Sequence, residues 1–156
     1  MVERPHNLVL ACSDGRYQAP LDEFLQSHLQ ITDYDRMYVP GGPGALASST
    51  LSFLRGDQFR QEIAFLIERH AIVRVVLHFQ GPLLDGGPPE AVCADQCRKV
   101  PYAAAAEIHK QHQKDLQAVL RGRRRENPGL IAEMIRAEVR GDRRVPFTPL
   151  DAPVVP

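Results

Sequence analysis

Apolar residues follow two rhythms along this chain. Asn7-Leu8-Val9-Leu10-Ala11-Cys12, Arg36-Met37-Tyr38-Val39 and Val73-Arg74-Val75-Val76-Leu77-His78 are short, nearly continuous apolar runs. Runs of that length, bounded by glycine, proline or polar residues, predict buried strands. Between them the apolar positions recur at spacings of three and four, the period of a helix with one buried face. Pro20 opens a first helix through Leu21, Phe24, Leu25 and Leu29. Asp22 and Glu23 are expected in its first turn, where the helix dipole favours carboxylates. Leu51, Leu54, Phe59, Ile63, Leu66 and Ile67 predict a long second helix, which Gly56-Asp57 is expected to break once.

The second half is less regular. Gly81, Pro82, Gly86, Gly87, Pro88 and Pro89 make 81–90 a loop. A helical stretch follows over 103–124, with Ile108, Leu116, Val119 and Leu120 as its apolar face, and Asn127-Pro128-Gly129 ends it. Residues 130–139 have helical propensity. Val139-Arg140-Gly141-Asp142-Arg143-Arg144-Val145, however, reads as two strands around a Gly-Asp turn, followed by Pro146-Phe147. The strand and hairpin reading is preferred, with 152–156 as an extended arm. Strands alternating with helices predict one α/β domain over 1–156. Its core is a central, mostly parallel sheet of about four strands flanked by helices, with a C-terminal strand or hairpin.

Composition narrows the function classes. The 156 residues hold 19 Lys plus Arg against 19 Asp plus Glu, a formal net charge of zero. That balance argues against wholesale binding of nucleic acid or an anionic membrane, and its weak colloidal repulsion permits self-association. No apolar run reaches membrane-spanning length, and Met1-Val2-Glu3-Arg4-Pro5-His6 lacks the layout of a signal peptide. The three cysteines do not make a disulfide framework. The expected location is the cytoplasm, where Cys12 stays reduced.

Candidate chemistry gathers where strands end. Cys12-Ser13-Asp14-Gly15-Arg16 leaves the first strand, and His78-Phe79-Gln80-Gly81 leaves the third. In open α/β sheets, ligands bind in the crevice at such carboxyl ends. Asp14 could supply a further metal donor, or could pair with Arg16 to fix the loop. Cys12 with His78 could be two metal ligands, or a nucleophile and its base. The loop Pro40-Gly41-Gly42-Pro43-Gly44 offers backbone N–H groups of Gly41, Gly42 and Gly44 to an anion, and Gln80 could reach a substrate oxygen. This loop lacks the Lys-Ser/Thr of a P-loop and the spacing of a dinucleotide fingerprint. No Gly-x-Ser-x-Gly elbow is present. Cys93 and Cys97 lie four apart and would share a helix face; either could fold back as a ligand. His109 with His112, and the cluster Arg121-Gly122-Arg123-Arg124-Arg125, read as solvated helix surface.

Strand–Cys-x-Asp-x-Arg, a glycine-rich loop after the second strand and a His ending a later strand together resemble the β-class carbonic anhydrases. The resemblance covers residue 7 to about 85 in order and spacing. It implies that Cys12 and His78 are zinc ligands and that Asp14 and Arg16 are the functional pair: the arginine holds the aspartate off the metal, or the aspartate swings in as a ligand. A further family ligand, a Cys three residues after the His, falls on Gly81. The resemblance implies a lyase that hydrates CO₂ or a close analogue through zinc-bound hydroxide, in a homodimer. Two other readings stand beside it: a metal-free, inactive binding or regulatory protein, and a metal-free enzyme using Cys12 and His78.

Overall fold

The computed structural model describes residues 5–46, 53–80, 114, 121–122, 125–138 and 144–149. Strand β1 (Asn7–Cys12) leads into helix α1 (Gln18–His28) and strand β2 (Asp35–Val39). A 3-10 turn (Gly42–Leu46), helix α2 (Phe53–Arg69) and strand β3 (Arg74–Gln80) follow, then β4 (Ile131–Ala137) and β5 (Phe147–Pro149). The strands form one sheet in the order β2-β1-β3-β4-β5. β1 pairs in parallel with both β2 and β3, β3 pairs in parallel with β4, and β5 runs antiparallel to β4. This is the predicted single α/β domain with a mostly parallel sheet flanked by helices.

Alternation of side chains along each strand divides the core in two. Leu8, Leu10, Val75, Leu77, Phe79 and Met134 pack with Ile63 and Ile67 of α2 on one face. Val9, Ala11, Val76 and Ile135 pack with Leu21 and Leu25 of α1 on the other. Strands covered on both faces carry continuous apolar runs, which is why β1 and β3 read so plainly in the sequence. The chain leaves β1 toward β2 and returns past it to β3, so the order reverses at β1. The crevice at the carboxyl ends of β1 and β3 is therefore a topological switch point.

Several expectations shift in register. Helix α1 begins at Gln18, two residues before Pro20, so its first turn holds no acidic residue. Asp22 instead accepts from the Tyr34 hydroxyl and, at 2.9 Å, from Arg36. Gly56-Asp57 does not break α2, which runs continuously from Phe53 to Arg69. Gly56 is buried, and a Cβ there would sit at ordinary contact distance, 3.5 Å, from the carbonyl oxygen of Ala45. Strand β3 runs two residues past His78 and takes in Gln80. In the tail the strand reading prevails over the helical one at 131–137. β5 lies at 147–149, farther along than a tight turn about Gly141-Asp142 would place it. Of the expected helix over 103–124, residues 114 and 121–122 are helical, and the remainder lies outside the described residues, as do Gly81, Cys93, Cys97 and the arm at 152–156.

Candidate functional site

Cys12 closes β1 and is buried. The Ser13 N–H donates to the Val39 carbonyl at 3.1 Å, holding the first residue of the motif loop to the end of β2. The chain then turns into α1: the N–H of Tyr17 donates to the Asp14 carbonyl (3.2 Å) and that of Gln18 to the Gly15 carbonyl (3.4 Å). This turn folds Arg16 back onto Asp14. The Arg16 backbone N–H donates to Oδ1 at 3.0 Å, Nε lies 3.0 and 3.1 Å from the two oxygens, and Nη2 donates to Oδ2 at 2.6 Å. A carboxylate gripped this way stays ionised, because the Arg16 hydrogen bonds hold its pKa below the usual range against a smaller opposing effect of burial. A weaker hydrogen bond from Gln80 acts in the same direction. Spacing alone placed Asp14 and Arg16 together, and they are together.

Strand β3 supplies the other side. His78 is fully buried and Gln80 nearly so. The His78 ring lies between Tyr17 (centroids 5.4 Å apart, planes at 51°) and Phe147 (5.7 Å, 50°). Burial pushes its pKa down to about 3, only partly opposed by the nearby Asp14 charge, so the imidazole is neutral at physiological pH. Neither ring nitrogen has a hydrogen-bond partner among the described residues, and neither does Oε1 of Gln80. Alternation along β3 places His78 and Gln80 on one face, so these unsatisfied atoms share the α1 side of the crevice.

The glycine-rich loop closes the crevice from the β2 side. Gly42 has φ of +53°, and a Cβ there would lie 3.0 Å from the backbone nitrogen of Cys12 and 3.1 Å from the carbonyl oxygen of His78. Gly42, Pro43 and Gly44 are all buried. The loop thus lies flat on the ends of β1 and β3 and leads into a 3-10 turn, not directly into a long helix. Close packing, rather than a displayed row of N–H groups, is what these glycines provide.

A catalytic zinc needs three protein donors and one open position. Among the described residues, no three His, Cys, Asp or Glu side chains come together to hold an ion. Asp14 is occupied by Arg16, and Gly81 has no side chain to offer. The neutral imidazole of His78 suits a metal, but the described donor set does not make a zinc site. Sequence reasoning missed Tyr17 and Phe147, the aromatic walls around His78. Tyr17 adjoins the motif and could have been noticed; Phe147 arrives only through β5.

No family model and no curated protein matches the chain. In structure it is similar to the β-carbonic anhydrase CafA of the fungal pathogen Aspergillus fumigatus, with 12% sequence identity and a TM-score of 0.53. The match covers 96% of this chain and 76% of that one. At this identity the likeness establishes a carbonic-anhydrase-like fold.

Proposed function

We propose that the protein uses its carbonic-anhydrase-like fold to bind a small, planar, oxygen-bearing molecule of the bicarbonate class at the switch-point crevice, without the zinc chemistry of that family. The observation that carries this reading is His78: fully buried, neutral, and with both nitrogens unpartnered among the described residues. A buried polar atom left without a partner costs about 1–3 kcal/mol, so native folds rarely leave one unsatisfied. A neutral imidazole offers one donor and one acceptor, and Gln80 Oε1 adds an acceptor. A ligand that both donates and accepts suits such a set: bicarbonate can accept from the imidazole N–H through its carboxylate oxygens, or donate its single O–H to one of the two acceptors. Asp14 and Arg16 set the electrostatics of the mouth, with Arg16 as its permanent cation. The Cys12 backbone and Gly42 close the strand ends beneath the crevice, and Gly41 and Gly44 hold the loop that carries Gly42. In this reading the protein is cytoplasmic and homodimeric.

The second reading, a zinc lyase acting on CO₂, draws on the same His78 together with Cys12. The two are separated by zinc content of protein purified without a metal-affinity tag, stopped-flow CO₂ hydration, and NMR titration with ¹³C-bicarbonate. The expected result is zinc far below one per chain, hydration at the uncatalysed rate, and saturable bicarbonate shifts that His78→Phe and Gln80→Leu abolish. Near-stoichiometric zinc with hydration would replace this proposal by the lyase reading. Metal-free protein with no saturable response to bicarbonate would reject the ligand class.

A further inference from the structure

Beside His78, the Gln80 amide can turn either of two ends to a ligand. Nε2 donates and Oε1 accepts, and the two exchange places when the amide turns over. The end that faces the crevice decides whether the site asks its ligand for a donor or for an acceptor. Shape does not settle the choice, because the two ends of an amide are nearly alike. A neighbour of fixed hydrogen-bonding sense does.

Asp14 is that neighbour. The parallel register of Leu10 with Leu77 brings the end of β1 level with Phe79, so the loop that starts at Ser13 leaves the sheet beside Gln80. Arg16 grips both Asp14 oxygens, with Nε 3.0 Å from Oδ1 and Nη2 2.6 Å from Oδ2, so the carboxylate has a set orientation. An ionised carboxylate only accepts. Nε2 of Gln80 donates to it. Oε1 is the end left over, and it is the Gln80 atom buried without a partner among the described residues. Gln80 is 4% exposed, so bulk water does not compete for its amide.

We propose that Asp14 is a positioning residue: by taking Nε2 of Gln80 it fixes Oε1 toward the crevice, and so selects a ligand that carries a hydrogen-bond donor. The selected ligand rests on the bicarbonate reading; the amide orientation does not. Bicarbonate carries such a donor in its O–H. Nitrate is the discriminating probe, because it is planar, singly charged and similar in size, but accepts only.

Two NMR measurements on the full chain provide the test. In the ligand-free protein, nuclear Overhauser contacts from the Gln80 Nε2 protons are expected to the Asp14 β protons and not to the His78 ring. Asp14→Asn reverses that pattern: Arg16 only donates, so it takes the Asn oxygen and leaves the Asn NH₂ facing Gln80. A parent protein without the Asp14 contact overturns the orientation, whatever the ligand, and does so even where Asp14→Asn does not fold. In titrations at equal ionic strength, the parent is expected to prefer bicarbonate to nitrate about fivefold, roughly the worth of one net hydrogen bond. Asp14→Asn removes the preference. Equal affinity for the two anions in the parent overturns the selection. So does an Asp14→Asn variant that weakens both anions alike and keeps the preference, which is what a purely structural loop pair would give. No saturable response to either anion, with the Asp14 contact present, overturns the ligand selection together with the bicarbonate reading and leaves the amide orientation standing.

Discussion

Gly42→Ala is the sharpest perturbation of the crevice that leaves its polar side chains intact. The added methyl carbon would meet the Cys12 nitrogen at 3.0 Å, the His78 carbonyl oxygen at 3.1 Å and the Ala11 carbonyl carbon at 3.2 Å. All three are backbone atoms of β1 and β3, fixed by the parallel ladder, so none can move aside as a flexible side chain would. Overpacking against a rigid neighbour costs about 1–3 kcal/mol. The φ of +53° adds about 1 kcal/mol for an L-residue in the left-handed region. A stiffer unfolded chain returns less than about 1 kcal/mol. The net loss is about 1–4 kcal/mol, which for a domain of this size lowers Tm by roughly 3–15 °C. Gly15→Ala is the matched control: nothing lies within 4 Å of its added Cβ, so its stability should stay within about 0.5 kcal/mol of the parent. Urea and thermal denaturation followed by circular dichroism measure both. A Gly42→Ala variant as stable as Gly15→Ala would refute the close approach of the loop to the two strand ends.

The buried imidazole predicts an acid-sensitive fold. His78 titrates near 3 in the folded state but near 6.5 when unfolded, so the unfolded chain binds the extra proton between those values. Stability is complete above about pH 6.5 and falls by about 2 kcal/mol on going to pH 5. His78→Phe should remove that part of the loss, whereas identical changes in urea midpoint between pH 7.5 and 5 for the two proteins would contradict it. Asp14 contributes nothing in that window, since its lowered pKa gives up stability only as pH falls below the ordinary 3.8. Leu25→Ala, at a site with no solvent exposure, should cost about 2–5 kcal/mol, while Phe65→Ala, 53% exposed, should cost under about 1 kcal/mol; similar values would mean that α1 is not packed on the sheet. A double-mutant cycle of Asp14→Asn with Arg16→Gln should give a stability coupling of about 1 kcal/mol or less, because half of Arg16 faces water; a value several times larger would show the pair to be desolvated. Sedimentation equilibrium at micromolar concentration should report a dimer mass, and a monomer at roughly 100 µM would end the homodimer proposal.

The sequence by itself determined the elements whose physics is local. β1 and β3 are apolar runs because both faces of a central parallel strand are buried, and α2 shows its buried stripe through Ile63 and Ile67. The Asp14–Arg16 pair was legible because two residues of one turn cannot separate far. Register was harder: Pro20 fits any position in a first turn, so it did not fix where α1 begins, and Asp22 found partners on β2 that no local rule supplies. Gly56-Asp57 looks like a helix breaker, yet α2 runs through it. Residues 131–137 carry helical propensity, yet an open edge on β3 makes them a strand.

What only the tertiary structure decided is the environment of the candidate site. Parallel pairing of β1 with β3 brings chain ends more than sixty residues apart to one crevice, and β5 returns antiparallel to set Phe147 against His78. The neutrality of His78, the lack of a partner for its nitrogens among the described residues, and the use of Gly42 as a backbone spacer all depend on burial. Burial depends on which distant segments cover a residue, whereas the pattern along the chain specifies which of its faces can be covered.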